Sequence, residues 1–483
     1  MLQTTFKRTI GLYTAISLVI GSIIGSGIFM RPAEMAALLG SPFQILLVWV
    51  IGGALTLFIS MIYAELGAMM PETGGQYAFM RKMYGDFWSY LFGWANFAVV
   101  NTAGTAGIAF ICSQYAQYFV RLPRFSPATE HSISLHVPFI GDIMPLENIG
   151  VKLLTIILLI ILTIISYRST KSSGMVQLFF TAAKVLAVAL LIGGLFFSKE
   201  GSLKNFITGS TSVKPLGFAL VAAMVAACNG ALQAFDGSSN MINIAGEIRD
   251  PKKYIPRSLF IGLFTCIIIY MLISSAMIYL LPMDEMARSQ LVAADAAEKA
   301  FGSIGGGIIA FLICLSVLGV TNASILASPR MTFAMAHEGS FFAFAGKVHP
   351  EFQTPGNALL FHLFWMIVMV FSGSFDILAN MYIFVTWFFN LLLIGGLFVL
   401  RKKMPEAERP YKVWGYPVIP LIALLCTGFY LVMTLRNDIN DYVTGAAHII
   451  NSVFGLALTA GGIPFYIYFK KKYRGMRESK SSA

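Results

Sequence analysis

The chain alternates between long apolar stretches and short polar connections. The hydrocarbon core of a bilayer is spanned by about 20 apolar residues of helix, and the pattern contains twelve stretches of that kind. In chain order they are residues 9–37, 42–68, 85–120, 148–167, 173–198, 214–245, 256–282, 304–335, 355–373, 376–400, 411–436 and 445–469. Several are longer than one crossing requires, which predicts tilted or interrupted helices.

Two of the twelve predicted helices are interrupted by glycine and polar residues. Residues 21–27 (GSIIGSG) lie in the middle of predicted helix 1, and residues 229–240 (NGALQAFDGSSN) lie in predicted helix 6. Interrupted helices at corresponding positions of two halves point to a binding site near the bilayer midplane. The pattern therefore predicts an all-α integral membrane protein with discontinuous helices 1 and 6. Its halves are helices 1–5 (residues 1–200) and 6–10 (201–403), followed by helices 11–12 and a basic tail (404–483).

Composition supports a membrane protein and excludes a long soluble domain. Of the 483 residues 57% are apolar and only 12% are charged, with a mean hydropathy of +0.74, whereas soluble domains carry about 25% charged residues. The net charge of +11 comes largely from basic residues in loops on one side of the predicted topology. This is the pattern of cytoplasmic loops, so both termini are expected in the cytoplasm and no nucleic-acid partner is expected. The cysteines lie in apolar runs without metal-ligand spacing, so neither a metal nor a cofactor is expected.

The interruption of helix 1 suits an anion. Gly25, Ser26 and Gly27 let the chain leave helical geometry at low cost, and the helix that restarts there presents free backbone N–H groups and the positive end of its dipole. A substrate carboxylate fits such a site. The alternative is that Gly21 and Gly25 form a GxxxG contact with a neighbouring helix.

The interruption of helix 6 suits a cation. Residues 233–240 are strongly polar for a membrane interior, and Asp236 is an ionisable group at a depth where such groups are costly. Backbone carbonyls from Ala234 to Asp236, freed by the break, would accept hydrogen bonds from an ammonium group. With helix 1 they would hold both ends of a zwitterion. The alternative is a shorter helix 6 with Asp236 at the mouth of the protein.

Lys184 lies near the middle of predicted helix 5, too deep for its ammonium to reach the interface. Placing a lysine there costs about 2.5–3.5 kcal/mol, so a group inside the bundle must offset that cost. Three roles are open: a fixed cation in the place of a sodium ion, a proton carrier, or a structural pin bonded to helix 1 carbonyls.

Seven motifs in order resemble those of one family. They are residues 21–29 (GSIIGSGIF), 63–77 (YAELGAMMPETGGQY), 182–187 (AAKVLA), 234–237 (AFDG), 243–256 (NIAGEIRDPKKYIP), 328–339 (SPRMTFAMAHEG) and 409–417 (RPYKVWGYP). The chain resembles the amino acid–polyamine–organocation (APC) superfamily, and within it the L-type amino acid transporter (LAT)-like branch. The resemblance implies a LeuT-like five-plus-five inverted repeat with two extra helices and alternating access around helices 1 and 6.

The resemblance also assigns roles to residues. It implies that the Ser26 and Gly27 backbone binds the carboxylate and that Lys184 takes the place of a sodium ion, so transport is sodium-independent. The full set of candidate binding residues is Ile23, Gly25, Ser26, Gly27, Gln233, Ala234, Phe235, Asp236 and Gly237, with the carbonyls of Ile23, Gln233, Ala234 and Asp236 assigned to the amino group. Two positions depart from the branch: Gln233 replaces a common aromatic gate residue, and Ser238 replaces a common tryptophan.

The sequence thus predicts a transporter of neutral L-amino acids in the cell inner membrane, working as an exchanger or a proton symporter. The rival substrate is a cationic amino acid or polyamine, with Asp236 pairing the second cation. A membrane enzyme or sensor is the more remote alternative, since no acid–base cluster and no soluble output domain is evident. The outer segment 121–147 contains no cysteine, so no disulfide-linked heavy subunit is expected. The expected partners are an amino acid, the lipid bilayer and, for a symporter, a proton.

Overall fold

The protein is helical along nearly all of its described length. The computed structural model describes residues 10–25, 27–70, 75–130, 132–168, 180, 184–243, 248–352 and 354–481. In chain order the helices are α1 Leu12–Ile23, α2 Gly27–Leu39, α3 Pro42–Met69, α4 Gly75–Tyr84, α5 Asp86–Ala95, α6 Asn101–Ala116, α7 Pro127–Glu130, α8 Ile149–Arg168, α9 Lys184–Gly194, α10 Gly217–Ala234, α11 Asn240–Asn243, α12 Pro251–Leu280, α13 Met283–Arg288, α14 Val292–Ala327, α15 Pro329–His337, α16 Gly356–Ser372, α17 Phe375–Lys403, α18 Val418–Val443, α19 Asn451–Ala460 and α20 Gly462–Ser481.

Within the described residues, nine helices or continuous helix pairs are long and apolar enough to cross a membrane. They are Pro42–Met69, Asp86–Ala116, Ile149–Arg168, Gly217–Ala234, Pro251–Leu280, Val292–His337, Phe375–Lys403, Val418–Val443 and Asn451–Lys472. The bent pair α1–α2 makes a tenth. Shorter apolar helices, α9 and α16, lie within predicted helices 5 and 9. The protein is therefore a multi-pass membrane protein, while the count of twelve and the inverted repeat stay predictions.

Both predicted interruptions are present. The first apolar span bends by 45° between α1 and α2, because Ile24 adopts extended geometry after α1 ends at Ile23. The span at predicted helix 6 is α-helical as far as Ala234, and Gly237 has a φ of +117°. That conformation is easily reached only by glycine. The glycines thus sit where the backbone leaves helical geometry.

The chain forms two compact units. The first comprises residues 1–83, 182–316 and 387–437, and the second comprises residues 84–181, 317–386 and 438–483. In the first unit α3 packs along α12 and α10, α1 packs on α12, and α2 packs on α10. In the second, α6, α8 and α16 pack on one another. The predicted repeats at 1–200 and 201–403 describe internal symmetry, which a division into compact units does not test. They therefore stay a prediction.

The outer segment adds one small hairpin to the all-α fold. Strands β1 (Leu135–Val137) and β2 (Gly141–Ile143) form a small antiparallel hairpin, and Gly141 also pairs with Ile449 before α19. The segment is anchored by Glu130, a buried carboxylate that receives two hydrogen bonds from Arg124 at 3.0 Å and one from the Asn148 backbone at 3.0 Å. Three-residue strands are too short to leave a period-two pattern, which is why the sequence did not reveal them.

Candidate functional site

The two interruptions meet inside the first unit. A Cβ built on Gly27, the first residue of α2, would lie 2.8 Å from both the Cα and the Cβ of Ala234, the last residue of α10. A Cβ on Gly237 would lie 2.5 Å from the carbonyl oxygen of Ser22 in α1. Real Cβ atoms do not approach other atoms this closely, so each contact requires glycine. The two broken spans therefore touch backbone to backbone at their breaks.

Hydrogen bonds join the same segments. Ser22 Oγ donates to the Gly237 carbonyl at 3.1 Å, in addition to the carbonyl of Val19 in its own helix at 2.9 Å. On the other side of the break Ser238 is buried, and its hydroxyl receives a hydrogen bond from Ser60 of α3 at 3.2 Å. The polar residues of the sixth span thus bond to neighbours within the unit.

Tyr270 of α12 bridges the two breaks, and sequence reasoning missed it. Its hydroxyl oxygen lies 2.8 Å from the carbonyl of Ile23, where α1 ends, and from that of Ala234, where α10 ends, so its single proton is shared between the two acceptors. Both carbonyls are predicted ligands of a substrate amino group, and each keeps a second lone pair because a carbonyl oxygen carries two. The only signal in the sequence was a tyrosine within an apolar helix, whose hydroxyl must find a partner when buried.

Lys184 lies against the first broken span, as one of the predicted alternatives required. It is only 5% exposed, and its ammonium donates to the Gly21 carbonyl of α1 at 2.9 Å. The bond offsets part of the cost of a buried ammonium. A structural pin, a proton carrier and a cation that replaces sodium would all make this contact. The role of Lys184 therefore stays a prediction.

The remaining candidate residues surround the break. The N-terminus of α2 at Gly27 adjoins the C-terminus of α10 at Ala234. The Gln233 carbonyl accepts a hydrogen bond from the Asp236 N–H at 3.2 Å. Phe235 is fully buried, and its ring packs on Trp49 and Tyr270 at centroid distances of 5.8 and 4.9 Å. The Phe235 ring thus belongs to the packed interior beside the break. Ser26 lies outside the described residues.

Among the described residues, neither Gly21 nor Gly25 makes a close contact with another helix. Of the described atoms, none lies within 4 Å of a Cβ built on Gly21, and only the carbonyl oxygen of Ile23, 3.7 Å away, lies near one built on Gly25. Close packing would instead bring atoms of another helix against both glycines. Their role is consistent with the break itself.

A buried arginine adjoins the site. Arg31 of α2 is 1% exposed, and its Nε donates to Gln233 Oε1 at 2.5 Å while its Nη1 pairs with the carboxylate of Glu34. In addition, a Cβ on Gly230 would lie 2.9 Å from the Arg31 Cδ, so the arginine stem lies across α10. Sequence reasoning missed this contact because Arg31 was not distinguished from other polar residues of the first span.

No metal centre is evident in the part of the chain that the structure describes, where no three His, Cys, Asp or Glu side chains are grouped to hold an ion. The fixed charges near the break come from Lys184, from the Arg31–Glu34 pair and from Asp236, which is half-buried. The described site thus combines helix ends with charged and hydrogen-bonding groups.

Comparison with known proteins identifies the family of this chain. Residues 10–458 match the family model described as amino acid permease. The chain is 32% identical to the serine/threonine exchanger SteT of Bacillus subtilis over 470 residues, covering 96% of this chain and 98% of the relative. It is 28% identical to the mouse b(0,+)-type amino acid transporter 1, covering 90% and 84% of the two chains. It is 29% identical to the human large neutral amino acids transporter small subunit 2, covering 96% and 82%. These relatives are transporters and not enzymes. The chain belongs to the amino acid permease family, in the LAT-like branch of the APC superfamily.

Proposed function

We propose that this protein exchanges neutral L-amino acids across the cytoplasmic membrane by alternating access and without sodium. The observation that carries the proposal is the meeting of helix ends of opposite polarity at Gly27 and Ala234, where a Cβ on the glycine would lie 2.8 Å from the alanine Cα. No cofactor is needed for this activity.

The helix ends match the two charges of an amino acid. The N–H groups of Gly27 and of Ser26 before it would bind the carboxylate at the start of α2, where the helix dipole favours an anion. The carbonyls of Ile23, Gln233, Ala234 and Asp236 lie at the ends of α1 and α10 or just beyond, where the dipole favours an ammonium group. A zwitterion therefore bridges the two breaks, and a conformational change that separates them releases it.

Lys184 supports sodium independence. Its ammonium lies 2.9 Å from the carbonyl of Gly21, so a fixed positive charge already occupies the neighbourhood of the first break. A sodium ion brought to the same carbonyl would be repelled by this ammonium. Transport without sodium follows if this bond persists during the cycle.

Exchange and neutral substrates are favoured by the relatives. The relatives include one named a serine/threonine exchanger and one named a large neutral amino acids transporter subunit. The rival is a carrier for a cationic amino acid or polyamine, for which Asp236 supplies a carboxylate beside the Ala234 carbonyl. The rival coupling is proton symport, in which Lys184 releases and rebinds a proton.

The deciding experiment is uptake of labelled amino acids by proteoliposomes. Vesicles are loaded with one unlabelled neutral or cationic amino acid, or left empty, and choline replaces sodium outside. The proposal expects uptake only when a neutral amino acid is inside, at the same rate in sodium and choline. Uptake into empty vesicles driven by a proton gradient would establish symport instead. Uptake of lysine or a polyamine in place of neutral amino acids would establish the cationic rival.

We further propose that the protein lies in the cell inner membrane with both termini in the cytoplasm and works without a disulfide-linked heavy subunit. Basic loops and the basic tail support the orientation. Among the five cysteines none lies in the outer segment 121–147, so no disulfide to a partner can form through this loop. A protease added to right-side-out vesicles should leave a C-terminal tag uncut, and a purified single chain should transport.

A further inference from the structure

We propose that the Gln233 side chain, held by Arg31, determines specificity and selects amino acids whose side chains carry a hydroxyl or carboxamide. The inference rests on the proposed function, because it takes the helix breaks to be the substrate site. It adds a substrate class within the neutral amino acids and assigns roles to two side chains, one that contacts the substrate and one that positions it.

Three described neighbours help to fix Arg31 in place. Its side chain lies against α10 at Gly230, its Nε donates to Gln233 at 2.5 Å, and its Nη1 pairs with the Glu34 carboxylate. A guanidinium this deeply buried must have such partners, because an unpaired buried charge is very costly. The carboxylate of Glu34 balances the charge, so the guanidinium acts locally as a hydrogen-bond donor of fixed position.

The contact with Arg31 orients the amide of Gln233. A guanidinium only donates hydrogen bonds, so the Gln233 oxygen must face Arg31 and the amide nitrogen must face away from it. Within the described part of the chain this nitrogen has no hydrogen-bond partner, although the side chain is only 8% exposed. It is also not one of the fully enclosed polar atoms without a partner. Its N–H groups therefore point into accessible space.

The amide lies beside the proposed substrate position. Gln233 immediately precedes Ala234, whose carbonyl accepts from Tyr270 and whose Cα abuts Gly27. A zwitterion held at these helix ends has its own side chain next to the last turn of α10. Gln233 is the polar side chain of that turn that keeps a donor without a partner among the described residues.

The donor defines the substrate class. An amide N–H donates a hydrogen bond to the oxygen of a hydroxyl or a carboxamide. An aliphatic side chain of the same shape would displace water from the Gln233 N–H and offer it no acceptor. Leaving a buried donor unpaired costs more than an ordinary hydrogen bond contributes, so sites built on such donors reject apolar isosteres. A substrate whose side chain is a carboxylate gains little binding free energy from Arg31, because Glu34 already neutralises the nearest positive charge. The expected substrates are polar and uncharged.

The test compares substrates of equal shape in wild-type protein. Unlabelled threonine and valine are nearly isosteric, as are asparagine and leucine, and each competes with the labelled exchange substrate in proteoliposomes. We expect threonine and asparagine to compete about tenfold more strongly than their isosteres, the effect of about 1.4 kcal/mol. Gln233→Met should bring both ratios close to one. Arg31→Met, which frees the amide to rotate, should lower both ratios.

Gln290→Met is the matched control, because Gln290 is an exposed glutamine between α13 and α14 of the same unit, and it should keep the wild-type ratios. Equal competition by threonine and valine in wild-type protein would overturn the inference while leaving exchange itself established. Wild-type ratios in Gln233→Met would also overturn it, and wild-type ratios in Arg31→Met would overturn the positioning role. Absence of exchange for every amino acid would instead contradict the proposed function. The wild-type comparison decides the matter even if a variant does not fold.

Discussion

The ammonium of Lys184 donates a hydrogen bond to the carbonyl oxygen of Gly21, 2.9 Å away. The acceptor lies in the last turn of α1, just before the helix breaks, and the donor lies in α9. This single contact joins two spans at the point where the first span loses its regular hydrogen bonding. A change that breaks it should therefore alter both the geometry of the first break and the charge beside it.

Lys184→Ala should reduce exchange about tenfold or more, because hydrogen bonds to charged groups contribute about 1.5–3 kcal/mol. Uptake in proteoliposomes measures the loss, and gel filtration shows whether the variant is folded. Lys204→Ala, at an exposed lysine of the same unit, is the control and should transport normally. Wild-type uptake by Lys184→Ala would remove the proposed role, and strict sodium dependence of the wild type would show that Lys184 does not replace the ion.

Tyr270→Phe should lower both thermal stability and the affinity for substrate. The change removes only the hydroxyl that joins the Ile23 and Ala234 carbonyls, and a buried hydrogen bond contributes about 1 kcal/mol. Melting of the purified protein and a substrate titration would measure the two effects. Tyr279→Phe on the same helix is the control, since no described residue bonds to its hydroxyl, and it should behave as wild type. Equal behaviour of the two variants would contradict the bridging role.

Gly27→Ala should destabilise the protein by about 1–3 kcal/mol, the usual cost of overpacking a tight contact. The added methyl group would lie 2.8 Å from Ala234, so the two breaks would be pushed apart and substrate affinity should fall as well. Gly21→Ala is the contrast, because a methyl group there meets no described atom within 4 Å. Thermal unfolding of both variants decides the matter, and equal destabilisation would speak against the close approach at Gly27.

Glu65→Gln should lower the free energy of unfolding by about 3–5 kcal/mol, as expected when one partner of a buried ion pair is removed. The Glu65 carboxylate is 1% exposed and receives hydrogen bonds from Arg401 at 2.9 and 2.6 Å and from the Val413 N–H at 2.7 Å. Glu408→Gln, at an exposed residue paired with Lys252, should cost at most about 1 kcal/mol. A melting temperature of Glu65→Gln equal to that of Glu408→Gln would contradict this expectation.

Asp284 should contribute stability that disappears in acid. Hydrogen bonds from Ser210 and Thr211 lower the pKa of this carboxyl from its ordinary 3.8 to about 2. A group whose pKa is depressed on folding stabilises the protein above its unfolded pKa, and the contribution is lost as the pH falls through the folded pKa. The melting temperature of Asp284→Asn should thus lie below that of the wild type at pH 5. The difference should shrink between about pH 4 and pH 2, and a constant difference over that range would be the contrary result.

Much of the architecture follows from local patterns in the sequence. Apolar runs long enough to cross a bilayer mark the spans, because the length of a crossing is set by the membrane and not by neighbouring residues. The breaks near Gly25 and Gly237 are also readable, because a run of glycine and polar residues destabilises a helix in an apolar environment and favours a local loss of helical geometry. The burial of Lys184 follows in the same way from its distance to either end of its predicted helix.

The pairing of side chains was decided only by the tertiary structure. Arg31 and Gln233 are separated by 202 positions, and Tyr270 and Ile23 by 247. Which buried donor reaches which acceptor depends on how the helices pack and rotate, and helical periodicity does not encode that relationship. The same holds for the hairpin of the outer segment, whose edge is completed by Ile449. Sequence alone thus placed the two broken spans and their polar residues, while packing brought Gly27 against Ala234 and turned Gln233 toward Arg31.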